Sequence, residues 1–159
     1  MRYRLLWAVL CAGAVGWSLP AWAGQDEEAI HRTITQAVAG TAAFSESRDK
    51  QTILMLYTDD YAGVQDGQPE SKAAIEQWLN EYESELNQGN RLRFIGAVSN
   101  LRTGIAGETA WALYDYVFQA IREGETEGQD AGTCTSLLRK EQSDWRIFHD
   151  HCSKSKSVQ

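Results

Sequence analysis

Residues 145–153, Trp145-Arg-Ile-Phe-His-Asp-His-Cys-Ser153, hold two of the chain's three histidines and one of its three cysteines. An imidazole changes charge near neutral pH, so a histidine beside a carboxylate can move a proton as general acid or base. His151 with Asp60 is the pair we single out for that chemistry, with Asp115 as a second carboxylate. A tyrosine hydroxyl could hold an enolate or carbonyl oxygen in the same site. Each residue also has a structural reading. The histidines can be hydrogen-bonded residues closing a sheet. Asp59-Asp60 can be a turn, and the aromatic side chains can be core.

Other chemistries lack their signatures. The cysteines and histidines show no C-x-x-C spacing, so no metal site is expected. There is no nucleophilic-serine elbow, phosphate loop or dinucleotide fingerprint, so no cofactor is expected.

Positioning such residues needs a scaffold. Apolar residues at Ile30, Ile34, Ala37, Val38 and Ala42 predict a helix over 29–44, after an acidic lead-in at 25–28 that suits the positive end of a helix. Asp49 caps a shorter second helix through about residue 56. Residues 57–61 read as a turn, 61–64 as a short extended piece, and Asp66-Gly67 as another turn. Ser71 caps a third helix over 72–88, with Ile75, Trp78, Leu79, Tyr82 and Leu86 on one face. After residue 90 the period becomes two. Strands are expected over 91–100, 108–121, 133–141 and 145–153. Gly104 and Gly107 flank a turn, and the acidic, glycine-rich stretch 123–132 reads as a solvated loop. Helices followed by an antiparallel meander define an α+β domain.

The last two strands can be registered. A turn centred on Ser143 pairs Glu141 with Trp145 and sets Cys134 opposite Cys152, close enough for a disulfide. On that register Cys134, Ser136, Leu138, Arg146, Phe148, Asp150 and Cys152 share one face. Thr135, Leu137, Trp145, Ile147, His149 and His151 share the other. The second face is expected inside because Trp145 and Ile147 want burial, which would aim His149 and His151 inward. Parity also sets Tyr114 and Tyr116 together, opposite Trp111, Leu113 and Asp115. The tyrosines are expected on the concave side.

Residues 1–23 read as a secretory leader: Arg2 and Arg4, an apolar run over 5–15, and Ala21-Trp22-Ala23 as the cleavage site. The run is shorter than the roughly 20 residues of a spanning helix. Removing it leaves 13 basic against 22 acidic side chains, a balance of −9. That surface argues against nucleic acid as a partner. Cleavage predicts a periplasmic or secreted protein free of the membrane, with Cys134 and Cys152 as an even pair in an oxidising compartment. The remainder, 24–159, suits one domain with a short polar tail.

The chain resembles the nuclear-transport-factor-2-like superfamily in its SnoaL-like branch. The resemblance rests on the first helix, Leu56-Tyr-Thr-Asp-Asp-Tyr61, Lys72-Ala-Ala-Ile-Glu-Gln-Trp78, and the close Asp144-Trp-Arg-Ile-Phe-His-Asp-His-Cys-Ser153. It implies a cone: a curved antiparallel sheet wrapped around about three N-terminal helices, with a pocket at the open end. Members include isomerases, dehydratases, polyketide cyclases, binding modules and assembly domains, and many dimerise through the sheet. Mapped here, it implies a pocket of Tyr61, Trp78, Tyr114, Tyr116 and His149, with His151 and Asp60 as the acid–base pair. No complete catalytic set from an enzymatic member is matched.

The expectation is therefore an exported domain binding a small hydrophobic molecule. Alternatives are a cofactor-free isomerase, dehydratase or hydrolase using a pocket histidine and carboxylate, and a module that forms a homodimer.

Overall fold

The computed structural model describes residues 21–155, with side chains from residue 24. The leader expected over 1–23 falls almost wholly outside them, as does the end of the polar tail. Helix α1 spans Ala21–Ala42 and buries Ile30, Ile34, Ala37, Val38 and Ala42. The acids at 25–28 lie within this helix rather than ahead of it. Asp26 is tied to the sheet, accepting from Lys140 Nζ at 2.6 Å and Trp145 Nε1 at 2.9 Å. Those two bonds hold its carboxyl below the usual carboxylate range.

A single turn, α2 (Phe44–Ser47), seats a fully buried Phe44. Helix α3 (Lys50–Leu54) opens on Asp49, whose carboxylate accepts from Thr52 N at 3.0 Å. Strands β1 (Ala62–Gln65) and β2 (Gln68–Ser71) form a hairpin. Its turn residues Asp66 and Gly67 both take positive φ, the geometry that matches strand twist. Ser71 Oγ then accepts from Ala74 N at 3.2 Å, capping α4 (Lys72–Asn87). The β1–β2 hairpin interrupts the expected run of helices.

Four long strands follow: β3 (Arg93–Ala106), β4 (Thr109–Arg122), β5 (Glu125–Glu141) and β6 (Asp144–Lys154). The sheet order is β2-β1-β6-β5-β4-β3. It is curved and unclosed, and α1 packs against β3. Because β1 runs parallel to β6, the sheet is mixed rather than purely antiparallel. Among the described residues no helix is long and apolar enough to cross a membrane.

Two loop expectations are corrected. Gly104 lies inside β3 opposite Trp111, and a Cβ there would sit 2.4 Å from the indole nitrogen. It is a seat for the indole, not a turn residue. Residues 123–132 are not a loop either. Glu123-Gly124 is a tight turn with φ of 54° and 93°, and β5 begins at Glu125. Gln119 pairs with Gln129 and Phe118 with Asp130, so the β4 ladder overrides the poor strand preference of glycine and acids.

The register of β6 decides where the chemistry lies. The hairpin turn is Gln142-Ser143, so Glu141 pairs with Asp144 and Lys140 with Trp145. This is one residue tighter than expected. Leu138 pairs with Ile147, but Leu137 pairs with His149, leaving Phe148 as an extra, bulged residue. The bulge restores the shifted register, and Cys134 does lie opposite Cys152. The disulfide forms there, with a Cα–Cα distance of 4.1 Å. The bulge also inverts side-chain parity. Trp145 and Ile147 are buried, and beyond Phe148 it is Asp150 and Cys152 that turn inward. The expectation that His149 and His151 face the interior is thereby overturned.

Candidate functional site

A cleft of about 450 Å³ opens between α1, α4, the β1–β2 hairpin and the inner faces of β3 to β6. Ala37 and Val38 of α1, and Ile75 and Trp78 of α4, form its apolar side. Phe94, Tyr114, Tyr116 and Phe118 come from the sheet, because parity carries alternate residues of β4 to the buried face. The disulfide of Cys134 and Cys152 forms part of the wall.

Asp150 lies in that wall and is 9 % exposed, and among the described residues its Oδ1 has no hydrogen-bond donor. Burial pushes its carboxyl up to about 6. The Ser136 hydroxyl beside it opposes the rise, and the negative charge of Glu70 adds to it. Glu70, on β2, also lines the cleft and is raised by burial. It accepts from Tyr61 Oη at 3.1 Å. Tyr61 crosses over Gly63, where a Cβ would fall 2.3 Å from the phenol oxygen, so only glycine leaves room for it.

The phenols stay protonated. Burial, then the charge of Asp150, raises Tyr57, Tyr61 and Tyr114 above the ordinary phenol value. Tyr114 Oη accepts from Ser136 Oγ at 3.2 Å, and Tyr116 Oη from Gln65 Nε2 at 3.4 Å. The cleft therefore presents two burial-raised carboxyls and several protonated phenols inside an aromatic shell.

The expected site residues divide. Trp78, Tyr114 and Tyr116 line the cleft. Tyr61 is buried behind Glu70 and reaches the site through that hydrogen bond. His149, His151 and Asp60 are not part of the lining. His149 pairs with Leu137 and places Nδ1 2.5 Å from Ala62 O. Leu137 itself pairs with exposed Trp111, which identifies the outer face. His151 is exposed on the same face, opposite Thr135. Asp60 is an exposed turn residue bound to Arg139 Nη2 at 2.6 Å, which holds its carboxyl down to about 2. The structure does not bring His151 and Asp60 together in the cleft. Asp115 likewise faces outward, bonded to Asn100 and Thr133.

Asp150 and Glu70 were missed as site residues. A signal for Asp150 was present: Trp145 and Ile147 demand one parity and a buried Cys152 the other, so a regular strand cannot satisfy both. Glu70 carried no such signal, because Pro69 obscured β2.

A family model for the SnoaL-like domain matches residues 34–155. Solved structures show the same fold. An NTF2-like protein with a cystatin-like fold from Novosphingobium aromaticivorans is 16 % identical, covering 86 % of each chain with a TM-score of 0.67. A hexachlorocyclohexane dehydrochlorinase is 11 % identical, covering 84 % of this chain and 88 % of its own, with a TM-score of 0.64. A putative scytalone dehydratase from Novosphingobium aromaticivorans is 11 % identical, covering 84 % and 87 %, with a TM-score of 0.65. A search of curated protein sequences finds no match.

Proposed function

The chain belongs to the SnoaL-like branch of the NTF2-like superfamily, and on that premise we propose that it is an exported domain that binds a small, largely hydrophobic molecule in its cleft. The observation that carries this reading is the 450 Å³ aromatic cleft with a buried, unpartnered carboxylate oxygen in its wall. Small-molecule sites have this character: an apolar shell with a few polar groups that orient the ligand. Native mass spectrometry of protein recovered from its own compartment tests it. A bound small molecule lost on Trp78→Ala is the expected result; a chain that is always empty and binds no small molecule overturns it.

Export is supported by the leader pattern and by the Cys134–Cys152 bond. N-terminal sequencing of the mature protein should start at Gly24. In that form Asp26 stands in the first helical turn, where its charge is favoured.

A second reading, acid–base catalysis, is favoured by Asp150. A carboxyl with a pKa of about 6 is tuned toward proton transfer near neutral pH, and the neighbouring phenols can stabilise an oxyanion. The dehydrochlorinase and the putative dehydratase among the similar structures fit an elimination-type reaction. The acid–base role then passes from His151 and Asp60 to Asp150. Loss of kcat in Asp150→Asn with KM kept supports it, while full activity in that variant on any substrate found removes it.

Homodimerisation is supported by exposed Trp111 and Leu113 on the outer face, beside Leu137. Sedimentation equilibrium should give twice the chain mass; a monomer at all concentrations rejects it.

A further inference from the structure

The cleft's ionisable acid and base side chains share one sign. Glu70, Asp130 and Asp150 line it, and among the described residues no lysine, arginine or histidine does. Asp130 lies 3.1 Å from Lys154, which also lies 3.4 Å from Asp66, so that acid is already paired. Glu70 has the Tyr61 hydroxyl as its hydrogen-bond donor. Asp150 is nine-tenths buried, and although the Ser136 and Tyr61 hydroxyls lie beside its carboxyl, nothing among the described residues donates to its Oδ1. A buried carboxylate with a free lone pair and no counter-charge in its own cavity is costly unless a ligand supplies both.

The other walls fit the same ligand. Trp78, Phe94, Tyr116 and Phe118 surround the space with aromatic rings. Trp78 and Phe94 have centroids 6.0 Å apart, and Tyr116 and Phe118 6.4 Å. Ring faces attract a cation and repel an anion. A bare metal ion does not fit. Among the described residues no three metal-ligating side chains converge, and the walls are apolar.

We propose that the cleft selects hydrophobic amines, a protonated nitrogen donating to Asp150 and Glu70 while its apolar body packs on Trp78, Phe94 and Phe118. This deepens the binding reading above and rests on it. The N–H donors matter as much as the charge, because Asp150 Oδ1 lacks a donor. A primary ammonium therefore binds better than a quaternary one. A carboxylate or phosphate ester is rejected by like charge. A neutral alcohol offers one donor and no counter-charge, and ranks between them.

The groups that act on Asp150 come from several elements: Tyr57 and Tyr61 before β1, Glu70 on β2, Tyr114 on β4, Ser136 on β5 and His149 on its own strand. Only His149 among them is basic, and it lies on the outer face.

The test is calorimetry at pH 8 on the oxidised, full mature chain with three matched sets of probes. These are 2-phenylethylamine, 1-naphthylmethylamine and decylamine, each with the corresponding alcohol and carboxylate. At least one amine should bind tenfold or more tighter than its alcohol, with its carboxylate undetected. Asp150→Asn should reduce the amine-to-alcohol ratio to near one, and Glu70→Gln should lower it severalfold. Should Asp150→Asn fail to fold, the selectivity of the unaltered chain decides alone. Alcohols or carboxylates that bind as well as amines overturn cation selection and leave the binding reading standing. If no probe of any charge type binds, both readings fall.

Discussion

One strand, β6, serves two surfaces that share composition but not chemistry. On the outer face His149 and His151 sit near Trp111 and Leu113, in or close to solvent. On the inner face, between those two histidines in sequence, Asp150 is buried against phenols. The same contrast separates the chain's two candidate carboxylates. Asp60, exposed and gripped by Arg139, is pulled down to about 2, whereas Asp150, buried and without an ion-pair partner among the described residues, is pushed up to about 6. Residue type announces that chemistry is available; water and neighbours decide which copy can use it.

The largest effect should come from disturbing the bulge that assigns residues to the two surfaces. One residue inserted after Phe148 should slide Cys152 past its pairing with Cys134, so that the disulfide fails to close and two thiols become titratable. Deleting Phe148 should instead leave both inward sets in phase and the disulfide intact by mass. If the insertion still forms the bond, the β5–β6 register is not what brings the two cysteines together.

Next in size is the bond itself. Cys152→Ser should cost about 3 kcal/mol of unfolding free energy in the chain-entropy account, measured by urea titration without reductant. A loss near zero would mean that the ladder alone holds β5 to β6.

The cleft carboxylate should act on stability with the opposite sign. Asp150's pKa is raised in the folded state, so the folded chain holds its proton more tightly than the unfolded chain does. The stability this contributes is present below the unfolded value near 3.8 and is lost as pH rises through about 6. Asp150→Asn should therefore stabilise the protein by about 2 kcal/mol at pH 8 and by nothing near pH 4. Urea midpoints at the two pH values check this. A group that destabilises its own fold is a mark of a binding or catalytic role.

The outer-face residues should matter least. His151→Ala should change stability by less than about 0.5 kcal/mol and leave amine binding unaltered. Asp60→Asn should lose a small stabilisation at pH 7 that fades below the usual carboxylate range and is gone once pH has fallen below about 2, because its pKa is lowered in the folded state. A His151→Ala variant that abolishes binding would erase the distinction between the two faces.

How much of this was legible depended on how local the cause was. Asp49 and Ser71 cap their helices as read, and Asp66-Gly67 turns its hairpin, because each needs only groups a few residues away. The alternation of β4 set Tyr114 and Tyr116 on one shared face for the same reason, since along a regular strand parity is rigid, and packing against α1 and α4 made that face the inner one. The pairing of Cys134 with Cys152 was legible too, although by two offsetting errors, a turn one residue too long and an unseen bulge at Phe148.

What the sequence by itself determined was therefore the α+β order, the helix caps, the Asp66-Gly67 turn and the shared face of Tyr114 and Tyr116. Those follow from short-range sterics and from a two-residue period that holds over short strands. Only the tertiary structure decided that Phe148 bulges, that β1 pairs parallel to β6, and that residues 125–130 extend the ladder. From those three facts comes the site: Asp150 and Glu70 inside, His149, His151 and Asp60 outside. The reason is that a bulge costs little locally and is selected by distant packing, here the burial of Trp145 and Ile147 together with the disulfide. One such residue reverses the facing of every side chain beyond it.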